Sequence, residues 1–262
     1  AIDAVRVYKG QALSGAALQW GASGAGGNGT WDANTTANWF DGTSAVKWPA
    51  AGGTADVATF GGTAGTVTLS GTITANRLHF NTTGYTLQGG TLTLNGISPT
   101  LTAASGVSAS IGSTVAGSAG LIKNGAGTLT LSAANSLTGT TTINQGTLAL
   151  QNTWQGLAFQ TEGGAVLDLN VASGTRDAGN TTFTGRGTLR KTGAGELRWG
   201  TGIAAFNFGS DGLLDVQAGT FTGGSNTNED WTTNLADLNV ASGAVFSGVE
   251  ANVRVDALSG AG

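Results

Sequence analysis

Between Gly127 and Leu150 the chain reads GTLTLSAANSLTGTTTINQGTLAL, in which short runs alternating leucine or isoleucine with threonine are broken repeatedly by glycine or asparagine. Extended backbone turns successive side chains to opposite sides, so the alternation predicts Leu129, Leu131, Ile143, Leu148 and Leu150 on one buried side. The intervening threonines then face solvent, where β-branching suits an extended chain. Glycine and asparagine supply the positive φ that sharp corners between strands demand. No long apolar stripe of helical period runs through the sequence, and charge pairs at helical spacing are sparse. The pattern therefore predicts many short strands joined by tight corners.

Internal repetition orders these strands. DLNVASG occurs at Asp168–Gly174 and unchanged at Asp237–Gly243, an offset of 69 residues; LIKNGAGTLTL from Leu121 matches LRKTGAGELRW from Leu189 at an offset of 68. If each offset spans three turns of a coil, one turn is about 23 residues, within the range of solenoid repeats. Parallel stacking of such turns gives an all-β fold, a parallel β-helix or β-solenoid. From Gly61 to Gly262 there is room for roughly nine turns, or about 40 Å of stack. Residues 61–262 are assigned to this coil and residues 1–60 to an N-terminal cap or extension, where Trp20, Trp31, Trp39 and Trp48 cluster.

Composition then makes sense as geometry. Glycine fills 46 positions and threonine 40, proline occurs only twice, and charged residues are 10% of the chain. Proline would delete a ladder hydrogen bond almost anywhere in a stack paired above and below. Like charges would stand in repelling columns about 4.8 Å apart, which favours threonine, asparagine and serine instead. Collagen and ordinary disorder are excluded by the missing triplet period and by an apolar content of 39%. A formal net charge of −4 without a basic stripe argues against nucleic acid as a partner. No apolar stretch is long enough to insert in a membrane as a helix. Without cysteine there are no disulfides and no thiolate metal sites. A start at Ala1, with no leader, suggests a processed product or an excised piece of a longer chain.

The segment from Gly120 to Leu150, with LIKNGAGTLTL, NSLTGTTTI and NQGTLAL, resembles the autotransporter-associated β-strand repeat of exported bacterial passenger proteins. Ser136-Leu137 stands where an asparagine-threonine-tyrosine run is more usual. A looser copy covers Gly185 to Trp199, and GNGTWDANTTANWF, Trp48 and GGTADVATFGG resemble the region that precedes such repeats. The resemblance implies a right-handed parallel β-helix, export from a Gram-negative-type cell, and a surface or extracellular role. It implies no reaction, because such repeats are scaffolds.

Candidate chemistry is thin, and no catalytic residue, metal site or cofactor is expected. His79, the one histidine, lies in a strand-like RLHF without a nucleophile elbow near any serine, and is read as a strand-face residue. A carbohydrate-active β-helix, the alternative function, needs converging carboxylates, yet the only tight acidic group is Glu229-Asp230 beside Trp231 in the polar loop GGSNTNEDWTTN. That loop, with Trp154 and Trp199, forms the candidate ligand or glycan contact. The four N-terminal tryptophans could be a glycan platform with Asp32, Asn34 and Asn38, but plugging the open end of a solenoid is the preferred reading. The GAG runs at Gly125–Gly127 and Gly193–Gly195 lack the lysine-serine pair of a phosphate loop and are read as turns. LSGAG at Leu258–Gly262 aligns with the GSAG before Leu121, so the last turn would expose an unpaired edge. Strand addition by AVRVYKG of a second copy, through Val5 and Val7 against Leu258 and Gly262, would then build a head-to-tail fibre. The resulting expectation is a non-enzymatic extracellular structural or adhesive solenoid, with a surface glycan or host cell-surface ligand as its partner.

Overall fold

The computed structural model describes residues 15–49, 56–152, 154, 157–198, 205–222, 233–248 and 253–262. All regular structure among them is β-strand, most strands being three to five residues long and stacked in parallel. The chain coils as a three-faced prism. One turn runs Thr100–Ala103 on the first face, Ser108–Ile111 on the second and Thr114–Gly117 on the third. The first and second faces are eleven-stranded sheets, whereas the third is two separate four-stranded sheets.

Register shows why the alternation is so regular. On the second face Leu129 pairs with Leu148, Leu148 with Leu167, Leu167 with Leu189, Leu189 with Leu214 and Leu214 with Leu238. Each rung is buried, so one inward ladder of leucines runs through successive coils. On the first face Phe159, Phe183 and Phe206 stack at centroid separations of 5.7 and 5.2 Å. Strands stack like on like because identical side chains one strand spacing apart fill equal volumes. Leu129, Leu131, Ile143, Leu148 and Leu150 are all in this core, as the alternation predicts. Thr141 departs from the expected outward threonines: it shares its parity with Ile143 and is buried.

The coil is less uniform than 23 residues per turn. Registers on the second face set Thr130 against Ala149, an offset of 19, and Arg190 against Asp215, an offset of 25. The two sequence repeats also differ in meaning. Both DLNVASG copies begin in strands of the second face, three coils apart. Leu121–Asn124 lies on the first face, whereas the matching Leu189–Thr192 lies on the second. That offset is three turns plus one face, which corrects the reading of both as three whole turns. The physical reason is that one glycine corner can serve at either edge of the prism.

The N-terminal end is closed by aromatic side chains. Trp20, Trp31, Trp39 and Trp48 are each at most 2% exposed. Trp31 packs 4.9 Å from both Trp39 and Trp48, and Trp20 5.1 Å from Trp39, in ring-edge and tilted contacts over Phe60. Two short antiparallel strands, Trp39–Phe40 and Ala45–Val46, lie beyond Ala17–Trp20 at the edge of the first face. These four tryptophans form the aromatic-rich cap, and none of the four has a free face for a glycan. Asp32, one of the proposed platform partners, instead accepts the Thr35 and Thr36 backbone N–H groups and the Thr36 hydroxyl.

Midway along the stack, between Thr147–Leu150 on the second face and Ala158–Thr161 on the first, the described residues include no third-face strand. Trp154, 1% exposed, sits in that connection, where the third face is interrupted.

Candidate functional site

Trp154 is the one predicted ligand contact that the structure describes, and it is a correction. Its ring is buried at the interruption of the third face, its carbonyl accepts the Thr181 hydroxyl, and no face is left for a ligand. Trp199, Glu229, Asp230, Trp231, Val5 and Val7 lie outside the described residues. Leu258 and Gly262 come together at one open apolar hollow of about 580 Å³, lined also by Leu238, Val240, Phe246 and Ser259. Leu258 continues the leucine ladder in register with Leu238 and is 72% exposed. His79 stands on the outer side of the first face between Thr59 and Thr102, half-buried, its pKa lowered by burial and by Arg77. No group of three or more histidine or acidic side chains among the described residues is placed to hold a metal ion.

The outer sides of the strands are polar columns. On the second face Thr86, Ser110 and Thr130 stand in register, with the Ser110 hydroxyl 3.1 Å from that of Thr86. Further along, the same column becomes charged: Asp168, Arg190, Asp215, Asn239 and Ser259 occupy successive rungs. Signs alternate, so a column of charge is tolerated without like-charge repulsion. Arg190 Nε donates to Asp215 Oδ2 at 3.0 Å, and Gln217 and Asn239 donate to the other Asp215 oxygen. Although burial pushes the Asp215 pKa up, these donors outweigh it and hold it below the usual range.

Asp168 behaves oppositely: burial raises its pKa, and the Thr192 hydroxyl at 2.6 Å and the nearby Arg190 only partly offset this. A carboxyl whose folded pKa lies above its unfolded value stabilises most at low pH, and that contribution is lost as pH rises through the folded pKa. Asp168→Asn keeps an acceptor for Thr192 and removes the buried charge. It is expected to raise the thermal midpoint at pH 7, with the gain shrinking as the pH falls toward 3.8. Thermal scans of both proteins at pH 7 and pH 4 check the sign.

The most elaborate polar geometry lies inside the prism, at residues the sequence reading passed over. Lys123 and Lys191 are fully buried and point inward, each a single cationic rung in an aliphatic ladder: Leu101 and Ile143 flank Lys123, Leu169 and Val216 flank Lys191. Lys123 Nζ donates to the carbonyls of Asn124 (3.0 Å), Gly125 (2.8 Å), Gly127 (3.0 Å) and Gln145 (3.0 Å). Lys191 Nζ donates to Thr192 (3.0 Å), Gly193 (2.7 Å) and Ala218 (2.8 Å). Burial pushes both ammonium groups down to about 8, which leaves them charged at neutral pH. The signal was available: alternation puts Lys123 on the same side as Leu121, and Lys191 on the same side as Leu189.

Both lysines belong to the L-x-K-x-G-A-G unit, with Gly125 and Gly193 in the left-handed region at φ of 76° and 79°. Residues 121–150, which contain the first copy, match the family model described as Passenger-associated-transport-repeat. The chain carries an autotransporter passenger repeat. The passenger repeat comprises five strands, from Leu121–Asn124 to Thr147–Leu150, and so spans more than one coil. Among curated proteins, the chain is 35% identical over 209 residues to the "Adhesin BmaC autotransporter" of Brucella suis biovar 1 (strain 1330). The alignment takes in 78% of this chain and 6% of that adhesin, so the similarity extends well beyond the passenger repeat itself. No solved structure matches the chain.

Proposed function

We propose that this chain is a segment of an extracellular, non-enzymatic passenger that mediates adhesion, displayed at or released from a Gram-negative-type cell surface. The observation that carries the reading is the division of labour in the prism. Its interior is filled by apolar ladders, while its outer faces carry columns of hydroxyl, amide and alternately charged groups in register. Such faces offer repeated polar contacts at one strand spacing, suited to an extended glycan or protein surface. Similarity to an autotransporter adhesin supports the same reading. Trp199 and the Glu229-Asp230-Trp231 loop remain the proposed aromatic and acidic contacts for that ligand.

Beads coated with the purified chain are expected to bind cultured host cells more than albumin-coated beads do. Loss of binding after glycosidase treatment of the cells would assign the ligand to glycans; equal binding by both bead types would remove the adhesive reading. End-to-end self-association through the hollow at Leu258 and Gly262 is an accompanying proposal. Light scattering behind size exclusion tests it: mass rising with concentration and suppressed by Leu258→Lys supports it, and a strict monomer removes it.

A further inference from the structure

We propose that the glycine corner following each L-x-K strand is a monovalent-cation site, in which the lysine ammonium is a tethered occupant that joins one coil to the next. Four carbonyl oxygens surround Lys123 Nζ at 2.8 to 3.0 Å, yet an ammonium has three protons to donate. The Gly127 carbonyl also accepts the Thr147 backbone N–H at 3.1 Å, so the oxygen in excess of the three protons has a donor of its own; what the ring adds is the convergence of four carbonyl dipoles on one point, which favours positive charge there. Neither lysine forms a direct ion pair among the described residues: backbone dipoles are the groups in contact with each ammonium, and at Lys191 the more distant Asp168 carboxylate adds to them.

Three parts of the site recur at both corners, and Lys123 has the Gly127 carbonyl in addition. Lys123 takes the carbonyls one and two residues ahead, Asn124 and Gly125, and Lys191 takes Thr192 and Gly193. Each ring is closed by a carbonyl from the following coil: Gln145 precedes Thr147–Leu150, which pairs with Thr128–Leu131, and Ala218 precedes Thr220–Thr222, which pairs with Glu196–Arg198. One ring stands where the first face turns into the second, the other where the second turns into the third. The geometry thus follows the local unit and not its position in the prism. Because Gln145 and Ala218 lie one coil on, the cation adds an interior link between turns whose outer faces are joined by Asn144 with Asn124 and by Arg190 with Asp215.

A cation site that supplies its own ion should accept a free one when the tether is cut. In Lys123→Ala the converging carbonyls lose the ammonium, Gly127 keeping a backbone donor in Thr147, and the thermal midpoint is expected to fall by roughly 5 °C or more. Ammonium chloride is then expected to raise the variant's midpoint along a saturating curve. Tetramethylammonium chloride at the same ionic strength, which has no proton to donate and is too bulky for the ring, should not. The wild type, its ring filled, should respond alike to both salts. Equal responses of variant and wild type to both salts would overturn the proposal, as would an unchanged midpoint in Lys123→Ala. Lys191→Ala provides the same test at the other corner.

Should neither variant fold, the wild type still decides the matter. The chain has four lysines, and with nitrogen-15 in their side chains two ammonium signals are expected to exchange slowly with water at neutral pH. Rapid exchange at all four would overturn the site.

Discussion

Gly185→Ala is expected to destabilise the solenoid by about 3–5 kcal/mol, far more than the same change at Gly164 or Gly163. Gly185 ends the strand Thr182–Gly185 with φ of 111°, and a Cβ there would meet the Thr161 carbonyl oxygen at 2.0 Å and its backbone nitrogen and carbon at 2.8 Å. Thr161 is the rung paired with Gly185 in the preceding coil, so the obstacle is backbone fixed by strand pairing and cannot swing aside. Gly164 has φ of 80° but open space around it, so Gly164→Ala isolates conformational strain, on the order of 1–2 kcal/mol. Gly163 has neither constraint, and alanine there should be neutral or slightly stabilising. Urea unfolding of the three variants should rank them in that order. If Gly185→Ala cost no more than Gly164→Ala, close approach of coils would not be what keeps glycine at this corner.

The same close approach explains how much of the fold could be read beforehand. Every coil must repeat the strand spacing, so inward positions alternate faithfully, and Leu129, Leu131, Ile143, Leu148 and Leu150 were legible as core. Corners were legible as corners but not as particular corners, because the unit at Lys123 and the unit at Lys191 are built alike on different edges of the prism. Hence the number of faces, and the extra face inside the 68-residue offset, were hidden. The burial of Trp154 was not legible because QNTWQG lacks the alternation of apolar and polar positions that marks a side chain as inward elsewhere. The buried lysines were hidden by habit rather than by the pattern. Their parity was inward, but a charged residue is ordinarily assigned to solvent unless a partner is evident, and here the partners are main-chain carbonyls that no side-chain motif announces.

Trp39→Ala is expected to cost about 3–5 kcal/mol locally while leaving the far coils almost as stable as before. Trp39 is 1% exposed and holds the cap together, with Trp48 at 4.8 Å, Trp31 at 4.9 Å and Trp20 at 5.1 Å between ring centroids. Removing it opens an apolar void at the end of the stack, on top of Phe60. In a solenoid each coil contacts only its neighbours, so the damage should travel as fraying, coil by coil, rather than as uniform loss. Hydrogen exchange should quicken in Val57–Phe60 and Thr66–Leu69 and stay slow in Thr182–Gly185 and Leu213–Val216. Leu167→Ala, a large-to-small change in the middle of the leucine ladder, should instead loosen coils on both sides. Trp39→Phe should be mild, because the Trp39 indole N–H finds no acceptor among the described residues and little hydrogen bonding is lost with it. Four of the seven tryptophans lie in the cap, so fluorescence reports chiefly the end and far-ultraviolet circular dichroism the stack. The two signals should separate in Trp39→Ala, with fluorescence changing at lower denaturant. Coincident transitions would mean that the cap and the coils unfold as one unit, and that nearest-neighbour coupling along this stack is stronger than the cost of uncovering its end.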